Sequence, residues 1–498
     1  MNKKGITLVA LVITVIVLLI LAGVVISIGV GSNGLFEKTN SAVEGWNAKA
    51  TEENVTISNA LAILNQISGD NPPSTLPVGW NEEAVADAVT ETSTIAGVNK
   101  ERIVPIPSGF VASNYQGTGD EHTGREDQVA SGLVIYQLDK TSTIEDVASI
   151  TEITTENHTL ALTNLNQYVW IPVDDINSMI MCQSNAKLPE NGEDIAKVCN
   201  IELENGVLKC TNPAHESTST ALCGRLYYET EFSSNNISGK TEYTKAPKFE
   251  LRDQVYSLNI TNNYREPSVV TNKSSSDLNT ILTGTSYDGV QTNHGFGTSN
   301  GTSASSKFLE DMETEFLKMA KSVYTYGGFY ISRYEIGGSI SNITSKMNQI
   351  VIRNTSAANN WYRMYAGLKG TVGGASSQMI WGCEYDQAMK FIGSSAYTGH
   401  RAWSLATTNT DNATKSGTHT DDIMNNIYDL EGNLREWTVE ANGVEYRVCR
   451  GRYLVNTYYG NYYPATERRY EAPTNYNSPT DTAGDISSRR TLYVTIWF

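Results

Sequence analysis

Four of the six cysteines in this 498-residue chain lie in one short stretch, from Cys182 to Cys223, and they are its first candidates for chemistry. In an oxidising compartment two local disulfides are the default arrangement, and their pairing is not fixed by the sequence. A zinc site is the alternative, because three thiolates and one imidazole complete a tetrahedral shell. Its ligands would be Cys182, Cys199, Cys210 and His215, although the stretch has no C-x-x-C pair. Either arrangement is a structural staple and not a reaction centre.

A second group of candidate residues is built for contact. Between residues 453 and 477 the chain carries seven Tyr and four Asn. Tyr offers a large, stiff, amphipathic surface and Asn offers adaptable hydrogen bonds, a composition that binding loops favour. Arg468, Arg469 and Arg489 are candidate charged anchors. We predict a contact surface over residues 453–491, with these ligand-binding residues: Tyr453, Asn456, Tyr458, Tyr459, Asn461, Tyr462, Tyr463, Arg468, Arg469, Tyr470, Asn475, Tyr476 and Asn477.

Nucleophilic catalysis by Ser, His and Asp has weaker support. His400 and His419 lie in a polar stretch beside several Ser and Asp residues. No strand-turn-helix elbow that would expose a nucleophile is recognisable around them. We interpret both as solvated loop histidines.

The N-terminal residues indicate how the rest is held. The run from Ile6 to Val30 has no charged residue, and as a helix it would be about 38 Å long, enough to cross a bilayer. Lys3 and Lys4 precede it and favour a cytoplasmic N-terminus, so the body would be exported. The amphipathic pattern of residues 31–70 predicts a stalk helix that continues the span.

Charge and composition limit the partners of the exported body. The net charge is -17 and the pI is about 4.9, which excludes a basic face for a nucleic-acid backbone. Short apolar runs such as "QYVWIPV" predict strands within a β-rich region at 75–267, which includes the cysteine insertion. Residues 268–306 are polar and Gly-rich and predict a linker.

Two helices are predicted in the C-terminal region, 307–498. The first is "KFLEDMETEFLKMAKSV", whose apolar stripe is Phe308, Met312, Phe316, Ala320 and Val323. The second is "WGCEYDQAMKFIG", with Tyr385, Ala388, Met389 and Ile392 on one face. Both spacings are typical of helices that pack against a core.

The N-terminus resembles the type IV prepilins, in which a short basic leader ends at a Gly that precedes an apolar segment. Here the leader is residues 1–5 and "ITLVALVITVIVLLILAGV" follows. The resemblance covers about residues 1–35 and implies processing between Gly5 and Ile6 by a prepilin peptidase, with pilin subunits as possible partners. Major pilins carry Glu at the fifth mature position, where this chain has Ala10. A minor pilin, a tip subunit and an ordinary signal anchor therefore stay open.

A second resemblance rests on segments in a fixed order: "YE" at Tyr334, a helix after Trp381, "YDLEGNLREW" from Tyr428, "RGR" at Arg450 and "SRR" at Ser488. Over about residues 320–498 these are similar to the formylglycine-generating-enzyme (sulfatase-modifying factor) family, a variant of the C-type lectin fold. "YVWIPV" would be an earlier strand of the same body. Enzymes of that family bind copper through two cysteines after the "RGG" strand. This chain has no Cys from Gly451 to Phe498 and only Cys449 before it, so we expect no enzymatic activity.

The same resemblance implies a structural calcium site. The ligands would be the side chains of Glu335, Asp429 and Glu436 and the carbonyls of Gly432 and Leu434, oxygen donors that suit Ca²⁺. The alternative is that Asp429 and Glu436 only cap and hydrogen-bond the turn, with Trp437 packed beneath.

The C-terminal segment is also similar to target proteins of diversity-generating retroelements, which vary residues encoded by adenine-rich codons after an "RG"-type strand. Asn456, Tyr458, Tyr459 and Asn461 are among the residues that fit such variation. A Tyr-rich surface that does not vary is the alternative.

Together these patterns predict an α+β protein, in which a long N-terminal transmembrane and stalk helix precedes a loop-rich, C-type-lectin-like domain with insertions. We expect a cell-membrane or pilus-anchored adhesin, single-pass with an extracellular body, that binds an unknown protein or glycan and requires no cofactor. A structural minor pilin or pseudopilin is the second hypothesis. A divergent sulfatase-modifying enzyme is the third.

Overall fold

The structure is a computed structural model. It describes residues 76–77, 80–81, 83–117, 125–182, 200–210, 222–231, 234–237, 240–243, 248–251, 264–267, 304–354, 359–393, 415–418, 423–430, 433–442, 446–451, 468–471 and 486–495. Contacts divide the chain into two units, Met1–Pro73 and Ser74–Phe498, and every described residue belongs to the second. The predicted leader, membrane segment and stalk lie outside the described residues.

The helices in the described part of the chain are α1 (Glu145–Ala148), α2 (His158–Asn164), α3 (Ala304–Tyr326), α4 (Trp361–Leu368) and α5 (Gly382–Gly393), with a 3-10 turn at Ile176–Ser178. The strands are β1 (Val85–Ile95), β2 (Val98–Pro107), β3 (Phe110–Ala112), β4 (Val134–Gln137), β5 (Gln167–Pro172), β6 (Ile180–Cys182), β7 (Ile201–Glu204), β8 (Val207–Cys210), β9 (Leu222–Gly224), β10 (Tyr227–Glu231), β11 (Ser234–Ile237), β12 (Lys240–Tyr243), β13 (Lys248–Leu251), β14 (Tyr264–Arg265), β15 (Gly328–Ser332), β16 (Gly337–Ser339), β17 (Asn342–Thr344), β18 (Gly370–Val372), β19 (Ala375–Met379), β20 (Arg435–Asn442), β21 (Tyr446–Arg450), β22 (Arg468–Glu471), β23 (Ile486–Ser488) and β24 (Arg490–Val494).

The largest sheet has seven strands in the order β18-β19-β24-β15-β5-β4-β3, and every pairing in it is antiparallel. Its middle strands β24 and β15 are buried along their whole length, as expected for a short, nearly continuous apolar run such as "GFYIS". The edge-to-face pair Trp170–Tyr330, 4.9 Å between ring centroids, joins β5 to β15. Strands from both predicted regions, 75–267 and 307–498, therefore share one sheet and one core.

A second sheet carries the C-terminal strands. Its order is β14-β20-β21-β22, and β23 pairs with β20 in parallel. Every residue of β20, "REWTVEAN", is buried although five of the eight are polar. Indeed, the cation–π contact that Arg447 of β21 makes with Trp361, 4.0 Å from the ring centroid, attaches α4 to this sheet. The buried polar side chains need partners inside the protein, and they make the ion pairs described below.

Arg333, which follows β15, is the centre of a buried polar cluster. Its Nη1 lies 2.6 Å from Glu126 Oε1, and the same oxygen lies 2.8 Å from His158 Nε2. The other carboxylate oxygen accepts hydrogen bonds from Ser113, 2.8 Å, and Tyr136, 2.9 Å. One carboxylate thus receives four partners and ties β15 to β4 and α2.

Tight hairpins follow local rules. Ala96-Gly97 joins β1 to β2 and Asn205-Gly206 joins β7 to β8, and all four residues have positive φ. Two-residue turns with both central residues in the left-handed region match the twist of the strands that they connect.

The predicted fold class was wrong. The described residues are 40% strand and 22% helix, so the body is sheet-rich rather than α+β with a leading helix. Within the described residues, no helix combines the length and the apolar character that a membrane crossing requires. The prediction gave too much weight to a few strong helical patterns, because short strands give weak local signals and form only through distant pairings such as β5–β15.

The two predicted C-terminal helices are confirmed. Helix α3 contains the first pattern and buries Met312, Phe316, Ala320 and Val323; the side chain of Phe308 lies outside the described residues. Helix α5 coincides with the second pattern and buries Tyr385, Ala388, Met389 and Ile392. It also buries Glu384 and Asp386, which the sequence pattern did not indicate.

Candidate functional site

The strands β21 and β22 flank the predicted contact surface. They pair antiparallel, with Arg450 opposite Arg468 and Arg447 opposite Glu471. The end of β21 and the start of β22, which precede and follow residues 452–467, are therefore neighbours in the second sheet. Arg450 is also opposite Glu436, at the start of β20, so both ends of this segment lie beside the "YDLEGNLREW" turn.

The second flank comes from β23. Ile486 pairs with Arg435 in a parallel register, which brings the chain back to the same end of β20 after residues 472–485. Of the predicted contact residues, Arg468, Arg469 and Tyr470 lie in β22, where the backbone is described and the side chains are not. The ten other predicted contact residues lie outside the described residues: Tyr453, Asn456, Tyr458, Tyr459, Asn461, Tyr462, Tyr463, Asn475, Tyr476 and Asn477.

Gly451 fixes the exit of the contact segment from β21. Its φ is +74°, in the left-handed region, and a Cβ added there would lie 2.8 Å from the carbonyl oxygen of Leu430 and 3.3 Å from the Tyr385 hydroxyl. Glycine is the residue that accepts both constraints. The chain can therefore turn away from β21 immediately against the buried turn.

The last residues of the predicted contact surface are not available for contact. Ile486, Ser487, Ser488, Arg489, Arg490 and Thr491 are all buried. Arg489 was predicted as a charged anchor for a ligand, and the structure corrects this because its guanidinium is fully enclosed in the core. The predicted boundary at residue 491 is too far along the chain, because β23 and β24 pair with interior strands of the two sheets.

Arg489 binds Glu436, one of the three carboxylates that the sequence grouped as calcium ligands. Its Nε lies 2.9 and 3.0 Å from the two oxygens of Glu436, and its remaining nitrogens donate to the carbonyls of Ser332 and Tyr428, both at 2.8 Å. Glu335 accepts from the amide of Leu434 at 2.9 Å and from Asn433. The sequence thus grouped Glu335, Asp429 and Glu436 correctly but missed Arg489 among them.

Asp429 holds the turn from a strained backbone position. Its φ is +62°, a conformation that Asp and Asn tolerate better than other side chains. One carboxylate oxygen accepts a hydrogen bond of 2.7 Å from the Gly417 amide, whereas Oδ1 is buried with no hydrogen-bond partner in the described structure. Trp437, at the end of the "YDLEGNLREW" element, is fully buried.

Burial dominates the protonation of this acidic group. It raises the pKa of Glu335 well above its usual value, and the nearby charges of Asp429 and Glu436 raise it further. Burial also raises the pKa of Asp429 to about 6, against the lowering effects of the Gly417 amide and Arg489. For Glu436 burial likewise outweighs Arg489 and raises the pKa. Three carboxylates share one guanidinium, so part of the group is easily protonated.

Most of the described carboxylate oxygens that the calcium prediction uses already have donors, and Asp429 Oδ1 is the exception. Calcium takes six to eight oxygen ligands, whereas both oxygens of Glu436 bind Arg489 and both oxygens of Glu335 accept N–H donors. Among the described residues, no group of three His, Cys, Asp or Glu side chains is arranged to hold a metal. Gly432, the other implied ligand besides Leu434, lies outside them. The described side chains hydrogen-bond and ion-pair within the turn, and the calcium site stays a prediction.

Arg450 at the end of β21 forms a second group of buried ion pairs. Arg450 lies 2.5 Å from Asp386 of α5 and 3.2 Å from Glu440 of β20, and its guanidinium stacks 4.6 Å from the Tyr385 ring centroid. Glu266 accepts a hydrogen bond of 3.1 Å from the Cys383 amide at the start of α5. Burial and then Glu440 raise the pKa of Glu266 to about 8. These contacts fasten the strand from which the contact segment departs.

The remaining predicted sites are distributed as follows. Cys210 is disulfide-bonded, whereas Cys223 is a buried thiol. A disulfide at Cys210 contradicts the predicted zinc site, in which the Cys210 thiolate is a ligand. A thiol at Cys223 contradicts the predicted pair of disulfides, which would use all four cysteines. The side chain of Cys182 is not described. Four other predicted residues, Gly5, Ile6, Cys199 and His215, lie outside the described residues, as do His400 and His419.

Comparisons with protein-family models, with curated proteins and with solved structures found no match for this chain. The functional argument therefore depends on the residues themselves.

Proposed function

We propose that this protein is an extracellular ligand-binding protein whose contact surface is the Tyr- and Asn-rich segment between β21 and β23. The observation that carries the proposal is the β21–β22 register, in which residues 452–467 start and finish on hydrogen-bonded neighbours. Rigid strands that flank a variable segment are the usual arrangement for binding loops. No catalytic group is required by this proposal.

Buried ion pairs hold the strands at both ends of the segment. Arg489 and Arg450 are both fully buried in ion pairs, and β20 is buried along its length. A rigid base of this kind limits the conformational entropy that is lost on ligand binding. Rigid support at the ends and Tyr-rich composition between them favour a binding role over a structural one.

The N-terminal resemblance to prepilins supports attachment of the body to a membrane or a pilus, and the C-terminal resemblance supports diversification of the segment. Both belong to the proposal. A repeat of the 3′ coding end that differs mainly at adenines, beside a reverse-transcriptase gene, is the observation expected for diversification. Recovery of the chain from sheared filaments would favour the alternative role of a minor pilin.

The direct test replaces Tyr458, Tyr459, Tyr462 and Tyr463 together by Ala in the full chain, held in nanodiscs. Binding is measured on arrays of immobilised glycans and extracellular proteins. We expect binding to fall by at least about a hundredfold, since buried tyrosines dominate binding surfaces, while the thermal unfolding temperature stays within about 2 °C.

The matched control is Tyr446→Ala, because Tyr446 is a partly exposed tyrosine on the same strand as Arg450 but at its other end. This control should bind as the parent does. Unfolding of the quadruple variant would mean that those tyrosines are core residues, and unchanged binding would place the contact surface elsewhere. Either result overturns the proposal.

A further inference from the structure

A separate cavity lies away from the strands β20–β23. It has a volume of about 470 Å³ and is lined by β2, by the turn after β5 and by the last residues of α3. This is within the range of about 300–1,000 Å³ found for small-molecule sites. The proposed contact surface uses none of these elements.

One wall of the cavity is aromatic. Trp80 packs edge-to-face on Tyr326, with 5.0 Å between ring centroids. Tyr326 is buried, so it holds the indole in place, whereas Trp80 itself is only partly buried. Tyr324 also lines the cavity and is 38% exposed. Flat aromatic faces of this kind attract the slightly positive C–H groups of a ligand.

The lining also includes a carboxylate that two cations hold in place. Arg102 binds both oxygens of Asp174, at 3.1 and 2.6 Å, and Lys100 lies 2.9 Å from one of them. Partial burial raises the pKa of Asp174, but hydrogen bonds from Arg102 and Lys100 outweigh it and lower the pKa below its usual value. The ionised carboxylate has about four lone-pair directions, so it can still accept hydrogen bonds from a ligand. Its side chain is 31% exposed.

The charges around the cavity nearly balance. Two cationic side chains, Lys100 and Arg102, face three carboxylates, Glu101, Asp174 and Asp175. A strongly charged ligand of either sign would meet groups of its own sign as well as opposite ones. The walls therefore suit a neutral molecule that has both an apolar face and several hydroxyl groups.

We infer that this cavity binds a neutral saccharide, with one face of a sugar ring against Trp80 and Tyr324 and with ring hydroxyls donating to Asp174. The site is independent of the Tyr-rich contact segment. It gives the protein a second, small binding site in the same unit.

The test uses the full chain in nanodiscs and four neutral probes: the methyl glycosides of glucose, galactose, mannose and N-acetylglucosamine. Saturation-transfer NMR and tryptophan fluorescence are recorded for each. At least one probe should bind with a dissociation constant of about 1 mM or below. Asp174→Asn and Trp80→Ala should each weaken it by about tenfold.

Two controls separate this site from the rest of the molecule. Asp127→Asn alters another Arg-paired aspartate, whose partner is Arg125, and should leave sugar binding unchanged. The quadruple tyrosine variant should also bind the sugar normally, so failure here and failure of the proposed function are distinguishable. Because Trp80 packs on the core, unfolding temperatures are recorded, and Trp80→Phe replaces Trp80→Ala if the latter unfolds.

Three results would overturn the inference. The first is no binding by any of the four neutral glycosides, and the second is binding that ignores both substitutions. Glucosamine and sialic acid are recorded beside the four neutral probes, and the third result is binding of one of these charged sugars alone, which would mean that charge rather than hydroxyl groups is recognised.

Discussion

Two buried charge clusters flank the end of β15, and they differ in how many partners each carboxylate has. At Arg333 a single carboxylate, Glu126, receives a guanidinium, an imidazole and two hydroxyls. Two residues further on, Glu335 belongs to a group in which three carboxylates share Arg489. Both clusters are fully enclosed, so burial alone does not distinguish them.

Their protonation differs accordingly. Burial raises the pKa of Glu126, but Arg333, His158 and Ser113 outweigh it and bring the value to about 2. In the Arg489 cluster burial prevails, and the pKa of Asp429 rises to about 6. The supply of donors per carboxylate, rather than depth, decides whether a buried acid stabilises the fold in its charged form. The cluster that is short of donors includes Glu436 of β20, and β20 pairs with β21 and β23, the strands that precede and follow the proposed contact segment.

The largest effect should come from Arg489→Leu. This change leaves three carboxylates buried without their guanidinium, and we expect it to cost about 5 kcal/mol of the free energy of unfolding. Arg489→Lys keeps the charge but not the forked geometry, so it should cost less. Urea denaturation measures both. Equal losses for Leu and Lys would contradict the shared role of Arg489, since charge would then contribute nothing.

Glu126→Gln should cost about 3 kcal/mol at pH 7, because Arg333 loses its buried counter-ion. The difference in free energy of unfolding between the parent and the variant should shrink at low pH. A carboxylate whose folded pKa is lowered stabilises the fold above its usual value of 4.5, and the stabilisation disappears as the pH falls toward about 2. Unfolding free energies of parent and variant, compared from pH 7 to pH 2.5, should converge. A constant difference would show that the charge of Glu126 is not responsible.

Asp429→Asn should change the free energy of unfolding less, and its pH dependence should have the opposite sign to that of Glu126→Gln. The folded pKa is raised from 3.8 to about 6, so the folded parent binds a proton more tightly than the unfolded chain and gains stability as the pH falls from about 6 to about 4. Asn keeps an acceptor for the Gly417 amide, so at pH 7 the variant should match or exceed the parent by about 1 kcal/mol. Unfolding free energies of parent and variant are compared from about pH 6 to about pH 4. A parent that loses stability relative to the variant as the pH falls would contradict the proposed difference between the two clusters.

The smallest effect is expected from calcium. The oxygens of Glu335 and Glu436 already have donors, so millimolar Ca²⁺ or its removal by chelator should shift the unfolding temperature by less than about 1 °C. Differential scanning calorimetry measures this shift. A rise of several degrees with calcium would show that the metal displaces Arg489, and Arg489→Lys should then enlarge the rise.

The sequence was informative where the pattern is local and long. The stripes of α3 and α5 were legible because apolar residues recur at helical spacing, and "YDLEGNLREW" identified the acidic turn. The sequence did not indicate which residues bind that turn. Arg489 looks in the sequence like any charged residue near a Tyr-rich segment, and only the pairing of β23 with β20 places it in the core.

Helix α4 was missed for a related reason. It has eight residues, "WYRMYAGL", and about two turns of helix are too short for a helical period to be read from the sequence. Its start is marked by Asn360, whose side chain accepts from the Arg363 amide at 3.1 Å. An Asn cap alone is too common a signal to define a helix.

The position of β24 between β19 and β15 has a consequence for the order of folding. The interior of the seven-stranded sheet cannot close until residues 490–494 arrive, and the Tyr-rich segment precedes them in the chain. Until then the edges of β15 and β19 stay unpaired, a state in which chains aggregate. Changes of sequence in that segment should therefore slow folding or lower its yield before they reduce the stability of the folded protein.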